Sequence, residues 1–126
     1  MTTIRWQRLC VLAAGISGAM AVGFAARGAH GVEAQAADWL ERGSRFQLIH
    51  AVVLLVLGVG RGQGRWLKAA SVLFTLGSIL FSGSLYAMAL ASLPVVYFVP
   101  VGGTCFILGW LALAGSAFSP GSRKES

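Results

Sequence analysis

Two histidines and a glutamine are the side chains of this sequence whose positions invite a chemical role. His50 stands within an apolar run, where an ionisable side chain is a functional hypothesis by default. Gln47 precedes it by three residues and can share its helix face. His30 stands between two glycines at the same predicted surface, so the two histidines can converge there. A closed metal site normally needs four ligands, and we therefore predict no metal and no cofactor.

A structural role for His50 competes with the functional one. Burial within an apolar run favours a neutral imidazole that is hydrogen-bonded to a neighbouring helix. We expect this imidazole to point toward the hydroxyl groups of the third apolar run and to lie close to Gln47. The structural interpretation is the favoured one.

Hydroxyl groups recur at helical spacing in the run from Leu67 to Ser92. Five of them fall within roughly 80° of one another on a helix, and these are Ser71, Thr75, Ser78, Ser82 and Tyr86. Such a stripe either joins helices through hydrogen bonds or lines a narrow polar path, and the first interpretation is favoured. The candidates for a ligand site or a polar network are His30, Gln47, His50, Ser78, Ser82, Ser84 and Tyr86.

Sequence motifs for catalysis are missing. The chain has no Cys-x-x-Cys, no His-Glu-x-x-His and no activated-serine elbow, and its apolar runs contain no carboxylate. We therefore predict no catalytic residue, and an enzymatic function is disfavoured.

Composition places the chain in a lipid bilayer. Of its 126 residues, 56% are hydrophobic and only 11% are charged, which is unusual for a soluble protein. The net charge of +6 is scattered between apolar runs rather than gathered on one face, so nucleic acid is not an expected partner. Cys10 and Cys105 stand in separate apolar runs, which argues against a disulfide.

Four apolar runs are long enough to predict an all-α, polytopic four-helix bundle as one domain. The predicted spans are residues 9–26, 46–60, 67–92 and 95–118, followed by a polar tail at 119–126. The second span has 15 residues and is short for a bilayer. Residues 33–42 mix charged and apolar side chains around Trp39, which predicts a short interfacial helix between the first two spans.

Small residues predict close packing of the spans, because they let helix backbones approach each other in lipid. The predicted packing positions are Gly15, Gly18, Gly23, Gly83, Gly102, Gly103 and Gly109.

Basic residues predict the orientation. Seven Lys and Arg residues fall on one side of the four spans and three on the other. The positive-inside tendency then predicts a multi-pass protein with both termini in the cytoplasm.

Five strings occur in a characteristic order along the chain: Gly28-Ala29-His30-Gly31, Phe46-Gln47-x-x-His50-Ala51, Leu80 to Tyr86, Pro100-x-Gly102-Gly103 and Gly109-Trp110. Together they resemble a known family, the YgdD-like and YwdK-like small membrane proteins of domain of unknown function family 423. The resemblance implies a four-helix inner-membrane protein and brings no established activity.

Three functional classes remain open at this point. The favoured one is a structural or accessory membrane component that packs against itself or a larger complex. The alternative is a small permeation or ligand-binding bundle that uses His50, Gln47 and the hydroxyl stripe. A third and weaker one is a quinone- or metal-linked redox role at the two histidines.

Overall fold

A computed structural model describes residues 3–60, 62 and 64–119, and the regular structure in this part of the chain is helical throughout. Its elements are α1 (Thr3–Gly28), α2 (Ala34–Val59), α3 (Arg65–Gly77), a π-helical turn (Ser78–Ser82), α4 (Gly83–Ala91), α5 (Phe98–Gly115) and a 3₁₀ turn (Ser116–Phe118). α3, the π turn and α4 form one continuous third span of 27 residues. Four helices in this part of the chain are long and apolar enough to cross a membrane, which confirms the predicted fold class.

The third span and α2 form the centre of the molecule. α1 packs mainly on α2, whereas the third span contacts α2 through α4 and contacts α5 through α3. In the most apolar stretch of 18 residues of α2, 39% of the residues are buried, and the third span has the same fraction. The corresponding fractions are 17% in α1 and 22% in α5. α1 and α5 therefore leave most of their surface to lipid.

The predicted interfacial helix is not a separate element. Residues 34–42 are the first turns of α2, which continues without a break to Val59. Two exposed ion pairs support these turns, Arg42 to Asp38 at 3.1 Å and Arg45 to Glu41 at 3.2 Å, both at the i, i+4 spacing that stabilises a helix. With 26 residues and a length of about 39 Å, α2 is not short for a bilayer.

Sharp turns separate the helices. Gly31 has a φ of 66° between α1 and α2, a conformation that glycine adopts without steric cost. Ser92 ends α4 in a left-handed conformation with a φ of 52°, and Pro94 follows it. Pro100 lies in the first turn of α5, where its missing N–H costs no intrahelical hydrogen bond. The predicted tail beyond Ser119, together with Arg61 and Gln63, lies outside the described residues.

Close helix packing centres on α5 and the third span. A Cβ atom added to Gly109 would lie 2.6 Å from the Phe74 ring, and one added to Gly102 would overlap the backbone of Phe81. The next glycine, Gly103, has ordinary contact only, at 3.8 Å from the Phe81 ring.

Four of the predicted packing glycines make no such contact. Among the described residues, nothing would lie within 4 Å of a Cβ added to Gly15, Gly18, Gly23 or Gly83. Gly15 and Gly23 miss a partner because they lie about 100° or more around α1 from Cys10, Ala14 and Ala21, the side that α2 covers. Gly18 is part-buried on that side but makes no close contact. Close packing also uses Gly43 against Tyr86, Gly58 against Val11, and Gly77 against Phe106.

Candidate functional site

α2 carries three of the buried polar side chains of the interior on one side. Ser44, Gln47 and His50 follow each other at intervals of three residues, and each is at most 5% exposed. The same face continues in the apolar residues Ala51 and Leu54. Gln47 and His50 reach the third span and α5 from this face, whereas Oγ of Ser44 donates to the carbonyl oxygen of Glu41 within α2.

Hydrogen bonds fix the tautomer of His50. Its Nδ1 lies 2.6 Å from the carbonyl oxygen of Phe46, which can only accept, so Nδ1 carries the proton. Its Nε2 lies 3.1 Å from Nε1 of Trp110 on α5, an indole nitrogen that can only donate. The imidazole is therefore neutral, with both nitrogens occupied.

Aromatic rings enclose His50. The ring of Phe106 stacks on it at 3.7 Å with an interplanar angle of 8°. Phe74 lies at 5.3 Å, Trp110 at 5.9 Å and Phe46 at 6.4 Å, all measured between ring centroids. His50 itself is 3% exposed, so this aromatic box holds the imidazole as part of the packed interior.

Gln47 takes part in a second contact between helices. The hydroxyl of Tyr86 on α4 donates to Oε1 of Gln47 at 2.6 Å. The ring of Phe24 on α1 stacks on Tyr86 at 3.8 Å, so this contact joins three helices. Beside it, Oγ of Ser82 donates to the carbonyl oxygen of Gly43 at 2.7 Å.

The predicted hydroxyl stripe divides into two groups. Ser71, Thr75 and Ser78 donate to carbonyl oxygens four residues earlier in their own helix, at 2.8–2.9 Å. Within the described chain, Ser82 and Tyr86 alone of the stripe make hydrogen bonds to another helix. Ser84 is buried beside them but lies outside this network.

His50 therefore does not point toward the hydroxyl stripe as predicted. Its partner is Trp110 on the fourth span, whereas Tyr86 of the stripe bonds Gln47. The two α2 side chains share a buried face but reach different neighbouring helices, since Gln47 bonds Tyr86 on α4 and His50 bonds Trp110 on α5.

His30 and His50 do not converge. His30 is exposed and precedes α2, and its carbonyl oxygen accepts a hydrogen bond from Arg27 at 3.0 Å. His50 stands 16 residues into α2, which is about 24 Å along the helix. The described residues contain no group of three or more His, Cys, Asp or Glu side chains that could hold a metal ion.

Trp110 is the member of the site that sequence reasoning missed as a polar partner. A signal was present, since Phe106, Gly109 and Trp110 recur at i, i+3 and i+4 on α5. This spacing predicts that one face of α5 carries the ring of Phe106, a gap at Gly109 and the N–H donor of Trp110. The gap at Gly109 admits Phe74, and the donor reaches His50.

Chemically, this arrangement links helices. Among the described residues, every fully buried side-chain nitrogen or oxygen has a hydrogen-bond partner. Interhelical side-chain pairs join α2 to α5 through His50–Trp110, to α4 through Gln47–Tyr86 and to α1 through Gln47–Met20, where Nε2 of Gln47 donates to Sδ of Met20 at 4.0 Å. In lipid, satisfied polar pairs of this kind stabilise helix association.

The fold and the site define an integral membrane protein with four helical spans and an internally satisfied polar core. The chain belongs to the family described as "Protein of unknown function (DUF423)", which matches residues 24–103. The matched range includes Gln47, His50 and Tyr86 and ends before Trp110.

Similar proteins carry names that agree with this class. The chain is 39% identical over 118 residues to the UPF0382 inner membrane protein YgdD of Escherichia coli, a match covering 87% of this chain and 90% of the relative. It is 35% identical over 109 residues to a UPF0382 membrane protein of Haemophilus influenzae, covering 82% and 88%. A UPF0382 membrane protein of Staphylococcus haemolyticus is 36% identical over 122 residues, covering 89% and 97%. No solved structure matches the chain.

Proposed function

We propose that the protein is a structural or accessory component of the inner membrane that acts by packing its helices against other membrane helices. The observation that carries this proposal is the satisfied interior, in which fully buried polar atoms of the described chain already have partners within it. Nε2 of His50 accepts a hydrogen bond from Trp110, and Oε1 of Gln47 accepts one from Tyr86, so these atoms do not face a vacant cavity. The interior thus stabilises the fold, and the outer surfaces of the helices carry the function.

The outer face of α1 supports packing against a further helix. Gly15 and Gly23 are exposed, and apart from the adjoining backbone of α1 no described residue lies within 4 Å of a Cβ placed on either. Small residues exposed to lipid let a second helix approach closely, whether from a second copy or from a larger complex. α1 is also the least buried of the four spans, which leaves this face accessible.

Gly15→Leu tests the proposal because it alters this face without disturbing the fold. Within the described chain a side chain at this position meets open space, so we expect an unchanged folded yield. After mild solubilisation, the wild-type protein should elute with a partner or as an oligomer, and Gly15→Leu should shift it toward the single chain. Size-exclusion chromatography with light scattering measures the shift.

Val101→Leu serves as the control, since Val101 is exposed on α5, a helix remote from the outer face of α1, and is already branched. It should elute like the wild type. A wild-type protein that is a single chain under all mild conditions would contradict the accessory function.

We further propose that both termini lie in the cytoplasm. The side that carries them and the connection between the second and third spans holds seven Lys and Arg residues, Arg5, Arg8, Arg61, Arg65, Lys68, Arg123 and Lys124. The other side holds only Arg27, Arg42 and Arg45. Positive charge favours the cytoplasmic side of short connections.

Reporter fusions test this orientation. A fluorescent-protein fusion after Ser126 should be fluorescent, and an alkaline phosphatase fusion at Gln35 should be active, because each reporter works only on its own side of the membrane. The exchanged reporters at the same two positions are the control and should be silent. The reverse pattern would show that the charge bias does not set the topology.

A further inference from the structure

An apolar groove separates α1 from α3, which barely contact each other. Its volume is about 410 Å³, and it opens toward the surrounding lipid. Its floor is Leu54 of α2. The side chains that form its two walls include Trp6, Leu9, Ala13, Ile16, Val72 and Leu76.

A smaller polar pocket adjoins one end of the groove, and the two share Trp6 and Ser71 as walls. Its volume is about 290 Å³, and Gln7 and Lys68 line it. Nζ of Lys68 lies 5.9 Å from the ring centroid of Trp6, so the cation stands where the groove becomes the pocket. Gln7 is held in place by its hydrogen bond to the carbonyl oxygen of Gly60 at 2.7 Å.

The length of the groove matches one leaflet. Trp6 and Ile16 are separated by ten residues of α1, which is about 15 Å. The hydrocarbon core of a bilayer is about 30 Å thick, so one leaflet supplies about 15 Å. Trp6 lies at the polar end, as expected for a tryptophan at the interface. The groove therefore runs from the headgroup level to the bilayer centre.

Charge favours an anion in the polar pocket. The chain has four acidic residues; Glu33, Asp38 and Glu41 belong to the opposite end of the molecule, and Glu125 lies outside the described residues. None of the described residues that line the pocket is acidic. Lys68 thus presents a positive charge to the pocket without a carboxylate beside it there.

We propose that the groove and the pocket together bind one anionic phospholipid, with an acyl chain in the groove and the phosphate beside Lys68. The groove supplies apolar contact over the depth of one leaflet, and the pocket supplies a cation and an amide at headgroup height. This binding site goes beyond the proposed accessory function and does not depend on it, since a single chain contains the whole site.

Native mass spectrometry of the delipidated protein tests the headgroup half of the site. Phosphatidylglycerol and phosphatidylcholine with identical acyl chains are added at equal concentration. We expect the wild type to retain about fivefold more phosphatidylglycerol, the factor that corresponds to about 1 kcal/mol for one cation near an anionic headgroup. Lys68→Gln should lower this ratio to about one.

Arg65→Gln is the matched control for charge. Arg65 stands at the same surface, with its guanidinium 5.8 Å from the ring of Trp66, and does not line the pocket. The preference should persist in this variant. An unchanged preference for phosphatidylglycerol in Lys68→Gln would overturn the proposal. Soluble glycerol phosphate that displaces phosphatidylglycerol at equal concentration would also overturn it, because the site would then bind a phosphate without a lipid chain.

Ala13→Phe tests the groove half, because the added ring occupies the space assigned to the acyl chain. It should reduce retention of both lipids, while Val22→Phe, on the exposed side of the same helix outside the groove, should not. If Ala13→Phe fails to fold, Val72→Trp fills the groove from its other wall, where the side chain is 45% exposed and tolerates bulk. Wild-type retention in a folded groove variant would refute this site.

Discussion

Gly102→Ala is expected to cause a sharp loss of folded protein. The added Cβ would overlap the backbone nitrogen and Cα of Phe81, which belong to the π turn of the third span and cannot rotate away. Overpacking of this kind costs about 1–3 kcal/mol or more. That cost exceeds the gain of about 1 kcal/mol that alanine brings to a helix interior relative to glycine. Reversible unfolding in mixed micelles measures the difference.

Gly103→Ala is the control, because the adjacent glycine in the same turn of α5 gains the same helix propensity without the overlap. Its added Cβ would meet only the Phe81 ring, at 3.8 Å. We expect this variant to be as stable as the wild type or more stable by up to about 1 kcal/mol. Equal stability of the two variants would show that α5 does not approach the third span as closely as described.

His50→Ala should destabilise the protein by about 2–4 kcal/mol. The substitution leaves a void between the rings of Phe74 and Phe106, and voids of this size cost about 2 kcal/mol or more. It also removes the acceptor of the Trp110 N–H, a contact of about 1 kcal/mol between membrane helices. Unfolding in mixed micelles measures the sum, and the metal content of the purified protein should not change.

Trp110→Phe separates the hydrogen bond from the void. It removes the N–H donor and keeps an aromatic ring, so we expect a loss of about 1 kcal/mol. In a double-mutant cycle, His50→Ala and Trp110→Phe should be non-additive, because both remove the same bond. Trp66→Phe is the control, since Trp66 is exposed on α3 about two turns before Phe74 and is not one of the rings around His50. Additive losses in the cycle would place His50 and Trp110 in separate environments.

Four helical spans were predictable because bilayer thickness sets a minimum length for each apolar run. The boundary of α2 was not, because the charged residues from Glu33 to Arg45 have the composition of an interfacial helix. The i, i+4 ion pairs show that these charges instead occupy the exposed face of one long helix. Composition distinguishes segments that lie in water from segments that lie in lipid. It does not reveal whether a helix bends where it leaves the membrane.

Burial of Gln47 and His50 followed from their positions in an apolar run, but their partners did not. A serine or threonine in a helix can donate to the carbonyl oxygen four residues earlier, so a hydroxyl stripe does not by itself imply contact with another helix. Ser71, Thr75 and Ser78 take this local option. Partners across helices depend on which faces meet, and that is decided by fits such as Phe74 over Gly109, between residues far apart in sequence.

The π-helical turn at Ser78–Ser82 changes which side of the third span faces its neighbours. One extra residue in a turn rotates all that follows by about 100° around the helix axis. The half before it, α3, faces α5, and the half after it, α4, faces α2. A single helix thereby packs on two different neighbours, one along each half of its length. Losing one residue here would turn Tyr86 away from Gln47 while leaving Phe74 on Gly109, so in this stretch the spacing of the residues is as strict a requirement as their chemistry.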